Sequence, residues 1–539
     1  MTVSEGGVQE CTRGSERDSL GPFERRESPI PRPSDAWIWH GGVIAGDLDG
    51  DGWLDLVVAL EQGLELYQGT ATGEFVARGT EVFGGFDLSF ASGGVAADYD
   101  GDGDLDLYVT RIAGQPAPEG GTFGVNRLLN NRGNGTFDDV TDVAGVSGCG
   151  EDFRDGQTKC FKSMASSFGD YDEDGDLDLY VGDYGYVDET PGTKQEDMGP
   201  AERDFLYRNE GDGTFSDVSD LIPGEFHDGY TYAGGFHDFD ADGFLDLYTV
   251  NDFGNLWPNR VLWGNGDGTF RYSGGVPGTD PSHLDASMTG MGLGVGDLNG
   301  DGWLDVAVAE WKKNTLFESR PDLGLWIDVA DSKGFVNVPA DNQWVGWGTV
   351  LGDLNDDGYL DIVNQYGHVS NENPLWDSPL YQPDGLYLND GTDAYTFSDV
   401  ALDWGVADMG MSRGAVLADL NRDGYLDLAK RSLDAKSTVY LSRCGDAGWL
   451  EVALEQPGTM NQDAVGGRVF VTAGGRTQLQ VVVAGGVSYA SSPAPEVHFG
   501  LGDARTVDEI RVEWPDGAES VLGGVDARQR ITISRSPAP

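Results

Sequence analysis

A nine-residue pattern, D-x-[DN]-x-D-G-x-L-D, occurs seven times in this chain, starting at Asp47, Asp98, Asp170, Asp238, Asp297, Asp353 and Asp419. The mean spacing is about 62 residues, and self-similarity on that scale marks a repeat architecture whose units stack to share a core. A glycine or alanine stands five residues ahead of each pattern: Gly42, Gly93, Ala165, Ala233, Gly292, Gly348 and Gly414. A short apolar run follows each one, as at 105–109 and 177–181. Two further segments complete the unit, for example 127–131 with 133–140 and 205–209 with 211–218. Each unit therefore reads as four short strands joined by turns. Four-strand units repeated radially make a β-propeller. The expectation is an all-β chain: a seven-bladed β-propeller followed by a small β-sandwich-like C-terminal domain.

The glycine count, 82 of 539 residues, agrees with many turns and little helix. The seventh unit lacks a fourth strand, because the repeat stops near Cys444. The expected donor is an N-terminal strand around 23–30, closing the ring and covering its last open edge. The four cysteines, Cys11, Cys149, Cys160 and Cys444, allow three connectivities. Ring closure suggests Cys11 with Cys444 and a local staple between Cys149 and Cys160. The domain reading is a tail over 1–19, a propeller over 20–445 and a β domain over 446–539.

The chain carries 34 basic and 92 acidic side chains, a formal net charge of −58. Nucleic acid is excluded as a partner, because binding it needs a basic footprint. No apolar run is long enough for a membrane-spanning helix. Met1 to Glu10 has neither a basic start nor an apolar stretch, so no export signal is read here. Two disulfides nevertheless fit an oxidising compartment, and a secreted or cell-surface location is expected.

Oxygen-only ligands at close spacing suit a hard cation, and calcium accepts six to eight oxygens in flexible geometry. The expected ligands are positions one, three, five and nine of each loop. These are Asp47, Asp49, Asp51 and Asp55; Asp98, Asp100, Asp102 and Asp106; Asp170, Asp172, Asp174 and Asp178; and Asp238, Asp240, Asp242 and Asp246. The last three loops substitute asparagine at position three: Asp297, Asn299, Asp301 and Asp305; Asp353, Asn355, Asp357 and Asp361; Asp419, Asn421, Asp423 and Asp427. Up to seven Ca²⁺ are expected. The glycine at position six permits the sharp turn. Position 12 is never acidic, so these are not helical EF-hands, and a strand follows instead.

These loops and their glycine-rich leading strands resemble the calcium-binding FG-GAP repeats of integrin α-chain propellers. The fuller likeness is to the cartilage acidic protein family, which joins such a propeller to an ASPIC and UnbV domain. The matching C-terminal residues are Trp449-Leu-Glu-Val, Gly466-Gly-Arg-Val, His498-Phe-Gly-Leu-Gly and Val512-Glu-Trp-Pro-Asp-Gly. The resemblance implies an extracellular calcium-binding protein of adhesion or matrix recognition, with no established catalytic activity.

A ligand face is expected at the opposite end of the innermost strands, seven or eight residues before each loop, about 23–26 Å away. The candidates are His40, Lys162, Tyr230, Trp344, Trp347 and Arg413, near Trp39, Phe90, Thr289, Val345 and Met411. The competing reading is that these aromatics pack the channel. The long connections over 111–125, 183–203 and 366–385 are expected to rise on the same face. The favoured function is a calcium-rigidified scaffold recognising a protein or polysaccharide partner. The alternatives are a polysaccharide lyase or sugar dehydratase, with His40, His227 or His283 near the substrate, and a surface-layer component. Oligomeric state is not readable.

Overall fold

The computed structural model describes residues 1–9, 11, 23–27, 40–60, 62–112, 124–151, 158–185, 201–223, 228–254, 256–274, 280–285, 289–336, 344–368, 379–392, 394–433 and 437–535. Their elements are almost all strands. The described residues hold seven antiparallel sheets of the repeat type, six of four strands and one, in blade 3, of five. Blade 1 consists of Val43–Gly46, Asp55–Leu60, Gly63–Gln68 and Val76–Gly79 in that order. In every blade the acidic loop joins the first strand to the second. The innermost strands touch in succession from blade 1 to blade 7, and blade 7 touches blade 1 again, so the ring is closed.

Closure works through the N-terminal strand. Phe23–Glu27 pairs antiparallel with Thr438–Ser442 as the outer strand of blade 7. Cys11 is bonded to Cys444 nearby, with Cα atoms 5.7 Å apart, and Cys149 is bonded to Cys160 directly across a two-stranded ribbon. The sheets pack face to face through apolar layers. Between blades 2 and 3, for instance, lie Val95, Tyr108, Leu128, Phe168, Leu179 and Phe205.

The C-terminal domain is a sandwich of two four-stranded sheets. One holds Gly448–Glu455, Glu496–Gly502 and Gln529–Ser534; the other holds Arg468–Ala473, Arg476–Val481, Thr506–Glu513 and Glu519–Asp526. Leu450, Val452, Val469, Val471, Ile510, Val512, Ile531 and Ile533 fill the space between them. The first sheet gains a fourth strand from an unexpected source. Thr2–Glu5 pairs with Gln529–Ser534, so the N-terminal residues are part of this domain rather than a free tail. The reason is an edge: without Thr2–Glu5 the last strand would offer an unpaired row of N–H and C=O groups.

Two further features were not expected. The C-terminal domain sits on the acidic-loop face of the propeller, and residues 484–494 leave it to run into the central channel. There Gly485 and Ala484 pair with Ser167 and Phe168 of blade 3. Ser488 bridges to Leu293 of blade 5, and Ser492 to Ile44 of blade 1. The Ser488 hydroxyl donates to the Ala415 carbonyl of blade 7 at 3.0 Å. This plug explains the glycines ahead of the loops in blades 1 and 2, whereas Gly292 of blade 5 is required by the Trp347 carbonyl of the next blade. A Cβ on Gly42 would lie 2.0 Å from the Ala490 carbonyl oxygen, and one on Gly93 1.9 Å from it. Channel and plug backbones meet too closely there for any side chain.

Candidate metal loops and the channel

The seven loops share one geometry. The first aspartate folds the loop by accepting two backbone N–H groups. In blade 1, Asp47 takes Asp51 N at 3.1 Å and Gly52 N at 2.8 Å. Asp98 does the same with Asp102 and Gly103, both at 3.0 Å, and Asp419 with Asp423 at 2.9 Å and Gly424 at 2.6 Å. The sixth residue turns in the left-handed region every time: Gly52, Gly103, Gly175, Gly243, Gly302, Gly358 and Gly424 have φ between 85° and 96°. A side chain there would be strained, which is why the pattern holds glycine.

In blades 1 to 4 the carboxylates of positions one, three and nine converge. Asp47, Asp49 and Asp55 each bring an oxygen within 4.8 Å of the others, and so do Asp98, Asp100 and Asp106; Asp170, Asp172 and Asp178; and Asp238, Asp240 and Asp246. Position five, expected as a ligand, is not in this group. Its carboxylate turns back onto the backbone N–H two residues on, as Asp51 does to Trp53 at 3.0 Å and Asp102 to Asp104 at 3.0 Å. In blades 5 and 6 position three is drawn aside as well. The side-chain amide of Asn299 donates to Asp301 at 3.1 Å, and that of Asn355 to Asp357 at 2.9 Å.

One oxygen recurs without a partner. Oδ1 of Asp49, Asp100, Asp172 and Asp240, all at position three, is buried and accepts no hydrogen bond, as is Oδ2 of Asp106. A buried acceptor left unmade is costly, and four equivalent ones invite a ligand. The electrostatics agree. Burial, aided by neighbouring carboxylates, raises Asp55 and Asp170 to about 7 and Asp98 and Asp238 to about 6. Burial also pushes Asp106, Asp178, Asp246, Asp305 and Asp361 well above the ordinary range. A bound cation would offset both the burial and the mutual repulsion.

Position nine has a second role that the pattern alone does not reveal. Its Oδ1 accepts the backbone N–H of the third strand: Asp55 from Gly69, Asp106 from Asn131, Asp178 from Asn209, Asp246 from Gly264, Asp305 from Ser319, Asp361 from Asn389 and Asp427 from Ser442, at 2.7–2.9 Å. Three of those partners also reach the preceding blade. The side-chain amides of Asn131, Asn209 and Asn389 donate to the carbonyls of Leu48, Tyr99 and Leu298 at 2.8, 3.0 and 3.2 Å. The available signal was an asparagine two residues ahead of a glycine at 131, 209 and 389.

The C-terminal domain bears on these loops unevenly. Position five is exposed in blades 1 to 5, as at Asp51, Asp102, Asp174, Asp242 and Asp301, half-buried at Asp357 and buried at Asp423. The Arg422 guanidinium of blade 7 meets Glu451 at 2.8 Å and also contacts Glu496, which pairs with Arg530 at 2.8 Å. His498 Nε2 lies 3.1 Å from the Gly424 carbonyl, and Trp449 closes over Gly424. Elsewhere the contacts are lighter. Asn461 N donates to Gly175 O at 3.1 Å, and Arg476 stacks 3.2 Å from the Tyr359 ring.

The expected ligand platform is not an exposed surface. Tyr230, Trp347 and Arg413 are fully buried, and His40, Lys162 and Trp344 nearly so. Trp347 packs 5.1 Å from Tyr489 of the plug, and the Arg413 guanidinium lies 3.8 Å over the Trp347 ring. Tyr232 and Met291 join the same core, and Tyr230 meets Trp257 edge to face with ring centroids 4.6 Å apart. His40 Nδ1 is 2.6 Å from the Ala91 carbonyl, and burial lowers its pKa to about 4. The Lys162 backbone N–H donates to Glu202 at 2.7 Å. The packing reading of these aromatics is the correct one, because 484–494 fills the channel around which they stand. Trp39, His227 and most of the long connections, 113–123, 186–200 and 369–378, lie outside the described residues.

Comparison with known proteins finds the FG-GAP-like repeat over residues 47–109, 170–249, 238–308 and 297–364, and the ASPIC and UnbV domain over 458–539. The chain is 25% identical over 502 residues to cartilage acidic protein 1 of Homo sapiens, covering 88% of this chain and 69% of that protein. The Mus musculus protein of the same name is 25% identical over 503 residues, covering 88% and 70%. Among solved structures, a Bacillus licheniformis rhamnogalacturonan lyase is similar with a TM-score of 0.38 at 11% identity, covering 78% of this chain and 76% of that one.

Proposed function

The chain belongs to the cartilage acidic protein family, and on that premise we propose that it is an extracellular, calcium-stabilised propeller scaffold that recognises a protein or polysaccharide partner. The observation that carries the calcium reading is the unpartnered position-three oxygen, repeated at Asp49, Asp100, Asp172 and Asp240 beside two further carboxylates. Asp47, Asp49 and Asp55, with their counterparts in blades 2 to 4, would hold the ion. Calcium would supply charge neutralisation and would tie the first strand to the second, while position nine extends the tie to the third. Two disulfides support an oxidising location. Among the described residues no helix is long and apolar enough to cross a membrane.

Recognition rather than catalysis is proposed because the side chains best suited to chemistry are engaged in packing. His40 is held against Ala91, and the channel that could have admitted a substrate is filled by the chain itself. A partner would then meet the outer surface of the blades or their connections.

Calcium is tested by calorimetric titration of the chelated protein and by thermal melting. Titration should give about four tight sites, and chelation should lower the melting temperature. A single site at a hundredfold excess over its Kd stabilises by about 2.7 kcal/mol. Unchanged melting in chelator would remove the reading. A glycan and matrix-protein array, run in calcium and in chelator, tests recognition.

A further inference from the structure

Beside the acidic loops of blades 4 and 5, a cleft of about 430 Å³ opens between the two sheets. Its volume is within the ordinary range for small-ligand sites, roughly 300–1,000 Å³. Three indoles line it: Trp263 from blade 4, and Trp303 and Trp326 from blade 5. The Trp263 and Trp326 ring centroids are 6.1 Å apart. Both of their N–H groups are used within the wall, to Asp280 at 3.1 Å and to the Leu304 carbonyl at 2.9 Å. The two rings are 5% and 4% exposed and belong to the core between blades 4 and 5. They form the apolar floor of the cleft, and the indole open to a ligand is that of Trp303. Trp303 follows the turn glycine of its loop and is only partly covered.

Two guanidiniums share the space. Arg271 is exposed, 5.9 Å from the Trp263 ring, and donates to Ser273 at 2.9 Å. Arg320 keeps 39% of its side chain exposed while contacting Glu318, which also takes the Tyr395 hydroxyl. Of the two acids of the lining, Asp280 is committed within the wall, and Asp240 would be taken up by the blade 4 ion proposed above. Asp280 is buried, accepting Ser282 N at 2.8 Å as well as Trp263. Asp240 belongs to the blade 4 metal cluster. The cleft thus turns two arginines toward a ligand in a chain of net charge −58.

We propose that this cleft binds an anionic saccharide. Indole faces suit the apolar faces of sugar rings, and the guanidinium fork pairs bidentately with a carboxylate or sulfate. The proposal rests on the recognition reading above and gives it a place and a ligand class. Through Asp240 it also makes binding calcium-dependent.

The test is calorimetric titration of the full chain in calcium with four probes: a galacturonate tetrasaccharide, a heparin tetrasaccharide, cellotetraose and a hexaglutamate peptide. At least one anionic tetrasaccharide should bind, and cellotetraose and the peptide should bind at least tenfold more weakly. Arg271→Ala and Trp303→Ala should each weaken binding about tenfold, or 1.4 kcal/mol, with the melting temperature and calcium titration unchanged. Arg271→Lys should recover only part of the loss. No binding by either anionic probe, equal binding by cellotetraose or the peptide, or binding unmoved in both variants would overturn the proposal. The calcium melting shift, measured on the same protein, separates the two readings. Its persistence without saccharide binding removes the cleft alone, whereas saccharide binding without it retains the cleft and removes the metal. An array ligand still bound by Arg271→Ala would keep recognition and move it off this cleft.

Discussion

The loops of blades 1 to 4 and those of blades 5 to 7 share a pattern and a backbone turn but not a charge arrangement. In the first four, three aspartates converge and one oxygen is left unpartnered. In blades 5 and 6 the third position is asparagine, and its amide turns to the position-five aspartate instead. In blade 7 the loop is buried against the C-terminal domain, and its Arg422 is paired with Glu451 and Glu496. The difference teaches that one repeat can serve two ends. A loop with three convergent carboxylates is built to be completed by a cation. In blades 5 and 6 the asparagine amide instead meets a carboxylate within its own loop, and in blade 7 the loop is a docking surface for the C-terminal domain.

The comparison can be broken first with pH, where the largest effect is expected because many carboxylates act together. Asp55, Asp98, Asp170 and Asp238 have folded values of about 6 to 7 in the metal-free chain, above the unfolded carboxylate value, and burial raises Asp353 and Asp419 too. Such groups hold protons in the folded state. Their contribution to stability is complete below the unfolded pKa and is lost as pH rises through the folded one. In chelator, the melting temperature should therefore fall between about pH 4 and pH 8. Each group protonated only in the folded chain removes about 1.4 kcal/mol of stability for every pH unit climbed. Calcium should remove this slope for the loops it fills. A slope remaining in saturating calcium would belong to loops left empty, with Asp353 and Asp419 the buried pair to examine. A flat chelated profile would contradict the burial of these acids.

The next effect in size is at blade 7. Arg422→Ala leaves Glu451 and Glu496 buried with only Arg530 to face them. Removing one partner of a buried ion pair costs about 3–5 kcal/mol. Denaturant melts should show that loss. Limited proteolysis should show the C-terminal domain released earlier than in the wild-type chain. A loss below about 0.5 kcal/mol would place this network among solvated pairs of little weight.

The smallest and sharpest test exchanges position three. Asp100→Asn should remove one calcium site from the titration, and Asn299→Asp should add one, each with a melting change within about 3 kcal/mol in calcium. If Asn299→Asp adds no site, position three is not what separates the two groups of loops.

Much of this molecule was legible in its sequence, and the reason is local. A turn that must fold an aspartate onto two backbone N–H groups, and must pass through a left-handed residue, leaves a fixed signature. Seven copies of D-x-[DN]-x-D-G-x-L-D therefore announced seven sheets. The alternating strands between them needed only neighbours of their own kind. Ring closure by 23–27 and the Cys11–Cys444 bond followed from asking what could cover the last edge, and Cys149–Cys160 was left as a local staple. Position five stands outside the convergent trio because one of its carboxylate oxygens accepts the N–H two residues on, as Asp51 does from Trp53 and Asp102 from Asp104. The structural tie from position nine to the third strand is hidden because it joins residues such as Asp55 with Gly69, or Asp106 with Asn131, whose separation varies from blade to blade.

What the sequence determined by itself was the repeat, the turn and the sign of the charge, since each depends on residues within one loop. The tertiary structure alone decided the rest. It placed Thr2–Glu5 in the last domain, drew 484–494 through the channel and buried Tyr230, Trp347 and Arg413 behind Tyr489. Those contacts join residues hundreds of positions apart. No periodicity records them, because a buried aromatic and an exposed one are the same letter until the surface that covers it is known.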